Sequence, residues 1–272
     1  MAIRIGPAKE KEIIRLYRDG YDTYETAIIT DCSQATAYRV LKRNRIATRT
    51  KADYESDRLN YKLFDKIDSE AGAYFLGLMC ADGNNYISKN NDYQLSISLQ
   101  SDDLHILKTF TEYLCPDTIP KFRPRSKSHY KDQYCFRIDS KLISRQLSKL
   151  GCVPNKSLKL EMPAIPKHLL RHFIRGYFDG DGSISYWMKN NNKNYKWQIT
   201  STYNFCIDVQ RMIKNELSVN SYLYIAKNDI TTTLSSGGNK QVIKIMEWLY
   251  RDAGIYLDRK YKKFQQLKEI YL

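Results

Sequence analysis

The sequence has little usable cysteine chemistry and no long apolar run. Six cysteines are scattered through 272 residues, with neither a C-x-x-C pair nor a histidine at ligand spacing, which excludes a disulfide framework and an ordinary zinc site. No apolar stretch approaches the length of a membrane-spanning helix, and the first residues do not have the layout of a signal peptide. We therefore expect a soluble intracellular protein.

Acidic residues are few relative to basic ones. The chain has 30 Asp and Glu against 44 Lys and Arg, which gives a formal net charge of +14 and a pI of about 9.3. This excess of positive charge favours a polyanionic partner, and nucleic acid is the first candidate. With 42% hydrophobic residues, the chain can form one sizeable core and a small appended domain.

Two segments repeat one pattern at a fixed distance. Phe75–Gly83 reads FLGLMCADG and Ile174–Gly182 reads IRGYFDGDG. The central glycines, Gly77 and Gly176, are 176 − 77 = 99 residues apart, and the last aspartates keep the same distance, 181 − 82 = 99. One copy alone favours a buried helix that ends in an Asp-Gly turn, but two copies in matching context reverse that preference and indicate an internal duplication.

Each copy predicts an apolar helix with small residues four positions apart on one face. These small residues are Gly77 and Ala81 in the first copy, and Gly176 and Gly180 in the second. Because glycine lowers helix stability, its presence inside both helices favours close packing of one helix on the other. The helix ends would then bring Asp82 and Asp181 together, and paired carboxylates suit a hard divalent cation.

These residues resemble the monomeric form of the LAGLIDADG homing endonuclease family, which has two motifs in one chain, over roughly residues 68–272. The resemblance implies that the acid at the eighth motif position binds metal. Here the predicted metal-binding set is Asp82 and Asp181 together with the preceding Ala81 and Gly180. The resemblance also implies Mg²⁺ as the cofactor, with Mn²⁺ as a substitute.

The first copy departs from the family pattern at its sixth position. Cys80 replaces the usual aspartate there, whereas Asp179 is present in the second copy. The family does not use this position as a metal ligand, so the departure leaves the metal prediction unchanged.

The order of predicted elements after each motif indicates an α+β fold. In Tyr93–Gln100, apolar and polar residues alternate as in a half-buried strand, and each half is expected to contain helix, strands, helix, strands and helix. The resemblance implies two pseudo-symmetric αββαββα halves, 68–160 and 161–272, that form a saddle with antiparallel sheets lying in the major groove of DNA.

Polar side chains on these strands are candidate contacts to DNA bases. In the first half they are Gln94, Ser96, Ser98, Arg123, Arg125 and Arg137, and in the second half Lys196, Gln198, Thr200, Tyr222 and Tyr224. Arginine can bind guanine bidentately, and glutamine can bind adenine in the same way. A solvent-exposed sheet face explains any one of these residues equally well, so the prediction concerns the face as a whole.

Two lysines occur in contexts similar to those that carry an active-site lysine in each half of this family. They are Lys156 and Lys260. A lysine near the metal would stabilise charge on the phosphate or polarise the attacking water. In a chain this basic, a solvated surface lysine is the alternative.

The first 46 residues predict three short helices joined by tight turns. Residues 9–19 have helical apolar spacing, Thr23 can cap a second helix, and Ser33 can cap a third over residues 34–44. The arrangement resembles helix-turn-helix domains, in which the third helix enters the major groove. The candidate DNA contacts are Ser33, Gln34, Thr36, Arg39, Lys42 and Arg43; a solvated helix face is the alternative. Residues 47–67 are predicted to be a polar linker.

Together these features predict a monomeric homing endonuclease that makes a metal-dependent double-strand break in a long duplex DNA target. The predicted catalytic residues are Asp82, Asp181, Lys156 and Lys260. One acid in each half matches one cut in each strand. A catalytically silent DNA-binding regulator and an intron RNA maturase on the same fold are the alternatives. We expect the protein in the cytoplasm or nucleoid of a bacterial or phage-infected cell, or in an organelle.

Overall fold

The computed structural model describes residues 5–19, 21, 23–48, 59–89, 93–124, 131–226 and 231–271. The chain forms two compact units, Met1–Asp57 and Arg58–Leu272. Each unit has its own cluster of buried apolar side chains.

The described part of the first unit contains three helices: α1 (Pro7–Arg18), α2 (Thr23–Ile29) and α3 (Gln34–Arg43). The Ser33 hydroxyl caps α3 by accepting a hydrogen bond of 3.2 Å from the Thr36 N–H. Asp31, with φ of 47°, lies in the turn between α2 and α3. The apolar faces of the helices meet in a small core of Ile13, Tyr17, Ala27, Ala37, Val40 and Leu41.

The predicted linker, 47–67, overlaps the second unit. Helix α4 (Lys62–Asp65) buries Leu63 and Phe64, and Leu59 and Ile67 are buried in the same core. Residues 49–58 lie outside the described residues. Residues 59–67 therefore belong to the folded second unit rather than to a linker, because their few apolar side chains all point into its core.

The first half of the second unit continues with a helix, a four-stranded sheet and two further helices. They are α5 (Glu70–Ala81), β1 (Gly83–Ile87), β2 (Tyr93–Gln100), α6 (Leu104–Leu114), β3 (Lys121–Arg123), β4 (Gln133–Asp139) and α7 (Lys141–Lys149). The strands are antiparallel in the order β1-β2-β4-β3. Leu95 in β2 is paired with Asn85 and with Ile138.

The second half has the same plan. It contains α8 (Leu170–Asp181), β5 (Ser183–Lys189), β6 (Asn192–Ser201), α9 (Tyr203–Leu217), β7 (Tyr222–Ile225), β8 (Thr232–Gly237), α10 (Asn239–Tyr250) and α11 (Asp258–Tyr271). The sheet is again antiparallel, in the order β5-β6-β8-β7. The predicted α+β architecture of two equivalent halves is confirmed.

The core lies between one face of each sheet and the helices. Leu95, Ile97 and Leu99 are buried in the first sheet, and Trp197 and Ile199 in the second, whereas alternate residues on the same strands remain partly or fully exposed. Among the described residues, no helix combines the length and the apolar character that crossing a bilayer requires.

Helices α5 and α8 join the two halves through direct backbone contact. A Cβ atom on Gly77 would lie 2.0 Å from the Phe173 carbonyl oxygen, and one on Gly176 would lie 1.9 Å from the Tyr74 carbonyl oxygen. Farther along, Gly180 faces Ala81, so the helices run side by side in the same direction. The close packing expected from the repeated glycines is present. It places the C-terminal ends of α5 and α8 next to each other.

Candidate metal and DNA site

The two motif acids lie where the paired helices end. Asp82 follows the last residue of α5, and Asp181 is the last residue of α8. A Cβ atom on Gly180 would lie 2.4 Å from the Ala81 Cβ and 3.0 Å from an Asp82 carboxylate oxygen. The structure therefore brings together all four residues of the predicted metal-binding set.

Partial burial raises the pKa of both motif acids. Asp82 and Asp181 are exposed on one side, yet protein atoms surround them closely enough that partial burial dominates their electrostatics. Burial, and then the charge of Asp181, raise the pKa of Asp82 to about 6. Burial also raises the pKa of Asp181, against the opposing charges of Lys156 and Lys260.

This acid pair fits a hard divalent cation. Both residues are exposed, and each stands at a helix C-terminus, where the backbone adds partial negative charge. Within the described ranges, no group of three or more His, Cys, Asp or Glu side chains is arranged to hold a metal. The side chains of the pair therefore supply only part of a coordination shell, and the remaining ligands would have to be carbonyl oxygens, water or substrate.

Lys156 and Lys260 are buried beside the acids and bind equivalent carbonyl groups. They are 9% and 3% exposed. The Lys156 ammonium donates to the Gly83 carbonyl at 2.5 Å, and the Lys260 ammonium donates to the Gly182 carbonyl at 2.6 Å. These two glycines are 182 − 83 = 99 residues apart, which is the spacing of the repeat.

Lys260 makes further contacts at the end of α8. Its ammonium is 2.8 Å from the Asp179 carbonyl oxygen and 3.4 Å from that of Gly180, and it also donates to the Phe178 carbonyl. Burial lowers the pKa of Lys260 to about 8, although the charges of Asp179, Asp82 and Asp181 act in the opposite direction. Its burial therefore excludes the alternative that Lys260 is a solvated surface lysine.

The sixth motif positions are buried and differ between the halves. The Asp179 carboxylate accepts hydrogen bonds from the Tyr250 hydroxyl at 2.6 Å, the Tyr74 hydroxyl at 2.9 Å and the Leu257 N–H at 2.9 Å. Cys80, its counterpart, is 3% exposed. Asp179 thus ties α8 to both halves and is closed off from solvent, which accords with its absence from the predicted metal set.

Sequence reasoning missed two groups that shape this site. The charge of Arg259 lowers the pKa of Asp82. The Arg259 Nε–H lies 3.0 and 3.1 Å from the two carboxylate oxygens of Asp103. Asn85 is buried and bonds to Ser144 and Cys152, which fixes the segment that leads to Lys156. Only the pairing of Arg259 with a distant buried acid reveals its role, so no local pattern could have identified it.

Comparison with known proteins identifies the fold. Residues 168–247 match the family model described as "LAGLIDADG-like domain". The second unit has the two-half LAGLIDADG fold. No match was found among curated proteins.

The solved structures of two meganucleases are similar in fold to this chain. The structure of I-SmaMI bound to uncleavable DNA is 12% identical, with a TM-score of 0.51, over 74% of this chain and 90% of that chain. I-GzeII in complex with its DNA target is 11% identical, with a TM-score of 0.51, over 73% and 89%. I-SmaMI bound to cleaved DNA is also 11% identical, with a TM-score of 0.51, over 76% and 89%.

The polar face of the first LAGLIDADG sheet contains all of the predicted base-contacting residues that the structure describes. Cross-strand pairing places Gln94, Ser96, Ser98, Arg123 and Arg137 on one face. Arg125 lies outside the described residues. The same pairing adds Asn84, Tyr86, Lys121, Gln133 and Cys135, which the sequence did not single out because strand register is needed to assign them.

The polar face of the second LAGLIDADG sheet is assembled in the same way. Lys196, Gln198, Thr200, Tyr222 and Tyr224 all lie on it. The register adds Ser183, Ser185, Trp187, Thr233 and Ser235. Each sheet therefore presents one continuous polar face opposite its buried side.

The third helix of the first unit exposes most of its predicted DNA contacts. Ser33, Gln34, Arg39, Lys42 and Arg43 are exposed, and Thr36 is partly buried. Several of these groups are already hydrogen-bonded within the unit. Ser33 caps α3, and the Arg39 guanidinium donates to the Ala35 carbonyl at 3.1 Å. The Arg43 guanidinium forms an ion pair with Glu10 at 2.7 Å, and the Gln34 amide donates to the Thr23 hydroxyl at 3.0 Å.

Proposed function

We propose that this protein is a site-specific homing endonuclease that makes a metal-dependent double-strand break in a long duplex DNA target. The observation that carries the proposal is the meeting of Asp82 and Asp181, one acid from each half, at the joined ends of α5 and α8. One acid in each half suits one cut in each strand. The similar structures of I-SmaMI and I-GzeII, which are bound to DNA, support the same assignment.

Asp82 and Asp181 would hold the divalent ion, Mg²⁺ by preference and Mn²⁺ as a substitute, together with the carbonyl groups of Ala81 and Gly180. When bound, such an ion supplies a water of lowered pKa and neutralises charge on the phosphate. Because the glycine contact fixes the helix ends, the two acids stay at one separation. The two cuts should therefore fall close together along the duplex.

Lys156 and Lys260 would act beside the acids rather than as metal ligands. Their ammonium groups stay within hydrogen-bonding reach of Gly83 and Gly182, the residues that follow the acids. From there they fix the turn after each acid and place positive charge next to the scissile phosphate.

The two polar sheet faces and the first unit would bind the duplex, with the protein acting as a monomer. The sheet faces offer the arginine, lysine, glutamine and hydroxyl groups that read base edges in a major groove. In the first unit, the exposed face of α3 would add contacts outside the region covered by the sheets, as in helix-turn-helix proteins.

The decisive experiment compares Asp82→Asn and Asp181→Asn with the unchanged protein on a library of duplex targets in Mg²⁺. Each substitution should lower cleavage at least ~100-fold while leaving DNA affinity within a few fold, because it removes a metal ligand and no binding surface. Asp252→Asn is the matched control, since Asp252 is exposed and lies outside the site.

Other outcomes of this experiment assign other functions. Binding without cleavage by the unchanged protein would identify a DNA-binding regulator. Tighter binding to a structured intron RNA than to duplex DNA would identify a maturase. Wild-type cleavage by Asp181→Asn in Mg²⁺ would refute the metal assignment.

The contribution of the first unit can be measured separately. A chain that begins at residue 58 should retain cleavage at the same position, because both acids and both sheets belong to the second unit. Its DNA affinity should fall, and the dependence of that affinity on salt should become weaker, because phosphate contacts are lost. Unchanged affinity would show that α3 does not bind DNA.

A further inference from the structure

The paired strands β3 and β4 of the first sheet and the matching strands β7 and β8 of the second sheet present different chemistry on their polar faces. In the first sheet, β3 and β4 carry the cations Lys121, Arg123 and Arg137. In the second sheet, the matching strands β7 and β8 read YLYI and TTLSSG and contain no lysine or arginine. Their polar face instead carries Tyr222, Tyr224, Thr233 and Ser235.

In the first sheet, the most central cation is oriented by its neighbours. With the Gln94 amide turned so that its oxygen faces Arg137, that oxygen accepts from the guanidinium at 2.5 and 3.2 Å. Asp139 lies 3.8 Å from the same guanidinium, and the Arg137 side chain remains 59% exposed. An oriented guanidinium suits the O6 and N7 acceptors of guanine, and a carboxylate beside it suits the amino group of cytosine.

In the second sheet, two cross-strand rows each end in an exposed tyrosine. Gln198, Ser235 and Tyr222 form one row, and Thr200, Thr233 and Tyr224 form the other. Tyr222 is 70% exposed and Tyr224 is 63% exposed.

Two hydroxyl groups in the row of Thr200, Thr233 and Tyr224 are partly used by a hydrogen bond to each other. The Thr200 and Thr233 hydroxyls are bonded to each other at 2.9 Å, so one of their two O–H donors is already used, and the row offers a ligand threonine methyl groups and the Tyr224 ring beside its remaining hydroxyl donors and acceptors. Such apolar groups match the thymine methyl, and Gln198 in the next row matches adenine.

We propose that the two halves read part of the target by different chemistry, β3 and β4 of the first sheet specifying G·C pairs and the two tyrosine-ended rows of the second sheet specifying A·T pairs. Lys196, on the same face of β6, lies outside these rows. This inference rests on the proposed function, because both faces must meet the duplex. The two half-sites of the target then differ in base composition although the two protein halves share a fold. The residues that set this difference are Arg123 and Arg137 on one side and Thr200, Thr233 and Tyr224 on the other.

The test is a binding selection with the full chain on a duplex library randomised in both half-sites. It is performed in EDTA, so that enrichment reports binding and not cleavage. One half-site should be enriched in G·C pairs and the other in A·T pairs. Arg137→Gln should flatten one guanine position and weaken binding of the selected duplex by about 10- to 100-fold, without changing the other half-site.

Two further variants separate base reading from charge and from folding. Tyr224→Ser should relax a thymine position in the A·T-rich half-site, whereas Tyr224→Phe, which keeps the ring, should preserve it. Lys244→Gln removes an exposed charge on α10, outside both sheets. It should change affinity alike for all sequences.

The possible results distinguish this inference from the proposed function. Enriched half-sites of equal composition, or a guanine preference that survives both Arg123→Gln and Arg137→Gln, would overturn the inference and leave the endonuclease proposal standing. A library with no enriched sequence would overturn both, because site-specific binding itself would be absent.

Discussion

Gly77 and Gly176 occupy reciprocal positions in the contact between α5 and α8. Each faces a backbone carbonyl oxygen of the opposite helix, Phe173 for Gly77 and Tyr74 for Gly176, at a place where a Cβ atom would lie within 2.0 Å. Only glycine permits this helix spacing. The distance between the two acids at the helix ends therefore depends on glycine, which has no side chain, at these two positions in the middle of the helices.

Gly176→Ala should destabilise the second unit by at least about 3 kcal/mol, because the methyl group would meet a backbone oxygen that cannot move without separating the helices. The measurement is urea denaturation. Gly237→Ala is the control, since nothing lies within 4 Å of its added Cβ. If Gly176→Ala unfolds at the wild-type urea concentration, the close backbone contact is not required for folding.

The duplication and the acid pair could be predicted because their signal is local and repeated. The glycine five residues before each acid predicted both the helix contact and the place where Asp82 and Asp181 meet. The half-buried strand at Tyr93–Gln100 could be predicted in the same way, since the alternation of apolar and polar residues along one strand does not depend on its partner strands.

Features that depend on long-range pairing could not be predicted from the sequence. Thr233 and Lys121 join the polar faces only through strand register. The pairing of Arg259 with Asp103 crosses 156 residues. Residues 59–67 looked polar enough for a linker because the four apolar side chains that anchor them stand among charged neighbours.

Lys260→Met should destabilise the protein more than Lys156→Met. The Lys260 ammonium donates to four carbonyl groups, whereas the Lys156 ammonium donates to the Gly83 carbonyl. Lys260→Met therefore leaves more buried acceptors without a donor. In urea denaturation, we expect the free energy of unfolding to fall by about 3 kcal/mol or more for Lys260→Met and by about 1–2 kcal/mol for Lys156→Met. Lys262→Met, on the exposed side of α11, is the control. Equal losses for Lys156 and Lys260 would contradict this account of their roles.

His172 should make stability fall as the pH drops below neutral. Burial, and then the charge of Arg175, lower its pKa to about 4 from the ordinary 6.5. Between these values the unfolded chain binds a proton that the folded protein does not. This contribution of His172 to stability is therefore fully present above about pH 6.5 and is lost as the pH falls toward 4, while the raised pKa of Asp82 acts in the opposite direction over the same range.

The contribution of His172 can be isolated by substitution. His172→Gln keeps an acceptor for the Arg175 guanidinium, which donates to the ring at 2.8 Å, and should remove the loss of unfolding free energy that His172 causes as the pH falls. His168→Gln removes an exposed histidine whose charge is the weakest of the named influences on the pKa of His172. A slope that is reduced equally by both variants would show that the buried ring is not its source.

Metal affinity should depend on pH through Asp82. Its pKa of about 6 arises from burial and from Asp181, and a carboxyl group must lose its proton before it binds a cation. The Mg²⁺ concentration for half-maximal cleavage should therefore change little above about pH 7 and rise by up to about tenfold per pH unit below 6. The measurement is a cleavage titration with Mg²⁺ at a series of pH values.

The charge of Lys156 provides a directional check on that pH dependence. Lys156 lowers the pKa of Asp82, so Lys156→Met should move the onset of weakened Mg²⁺ binding to higher pH, whereas Asp252→Asn should leave it in place. Because Lys156→Met also removes a bond to Gly83, its folding must be verified under the same conditions. An onset that does not move in a folded Lys156→Met protein, or a Mg²⁺ requirement independent of pH in the unchanged protein, would show that Asp82 is not the group that titrates.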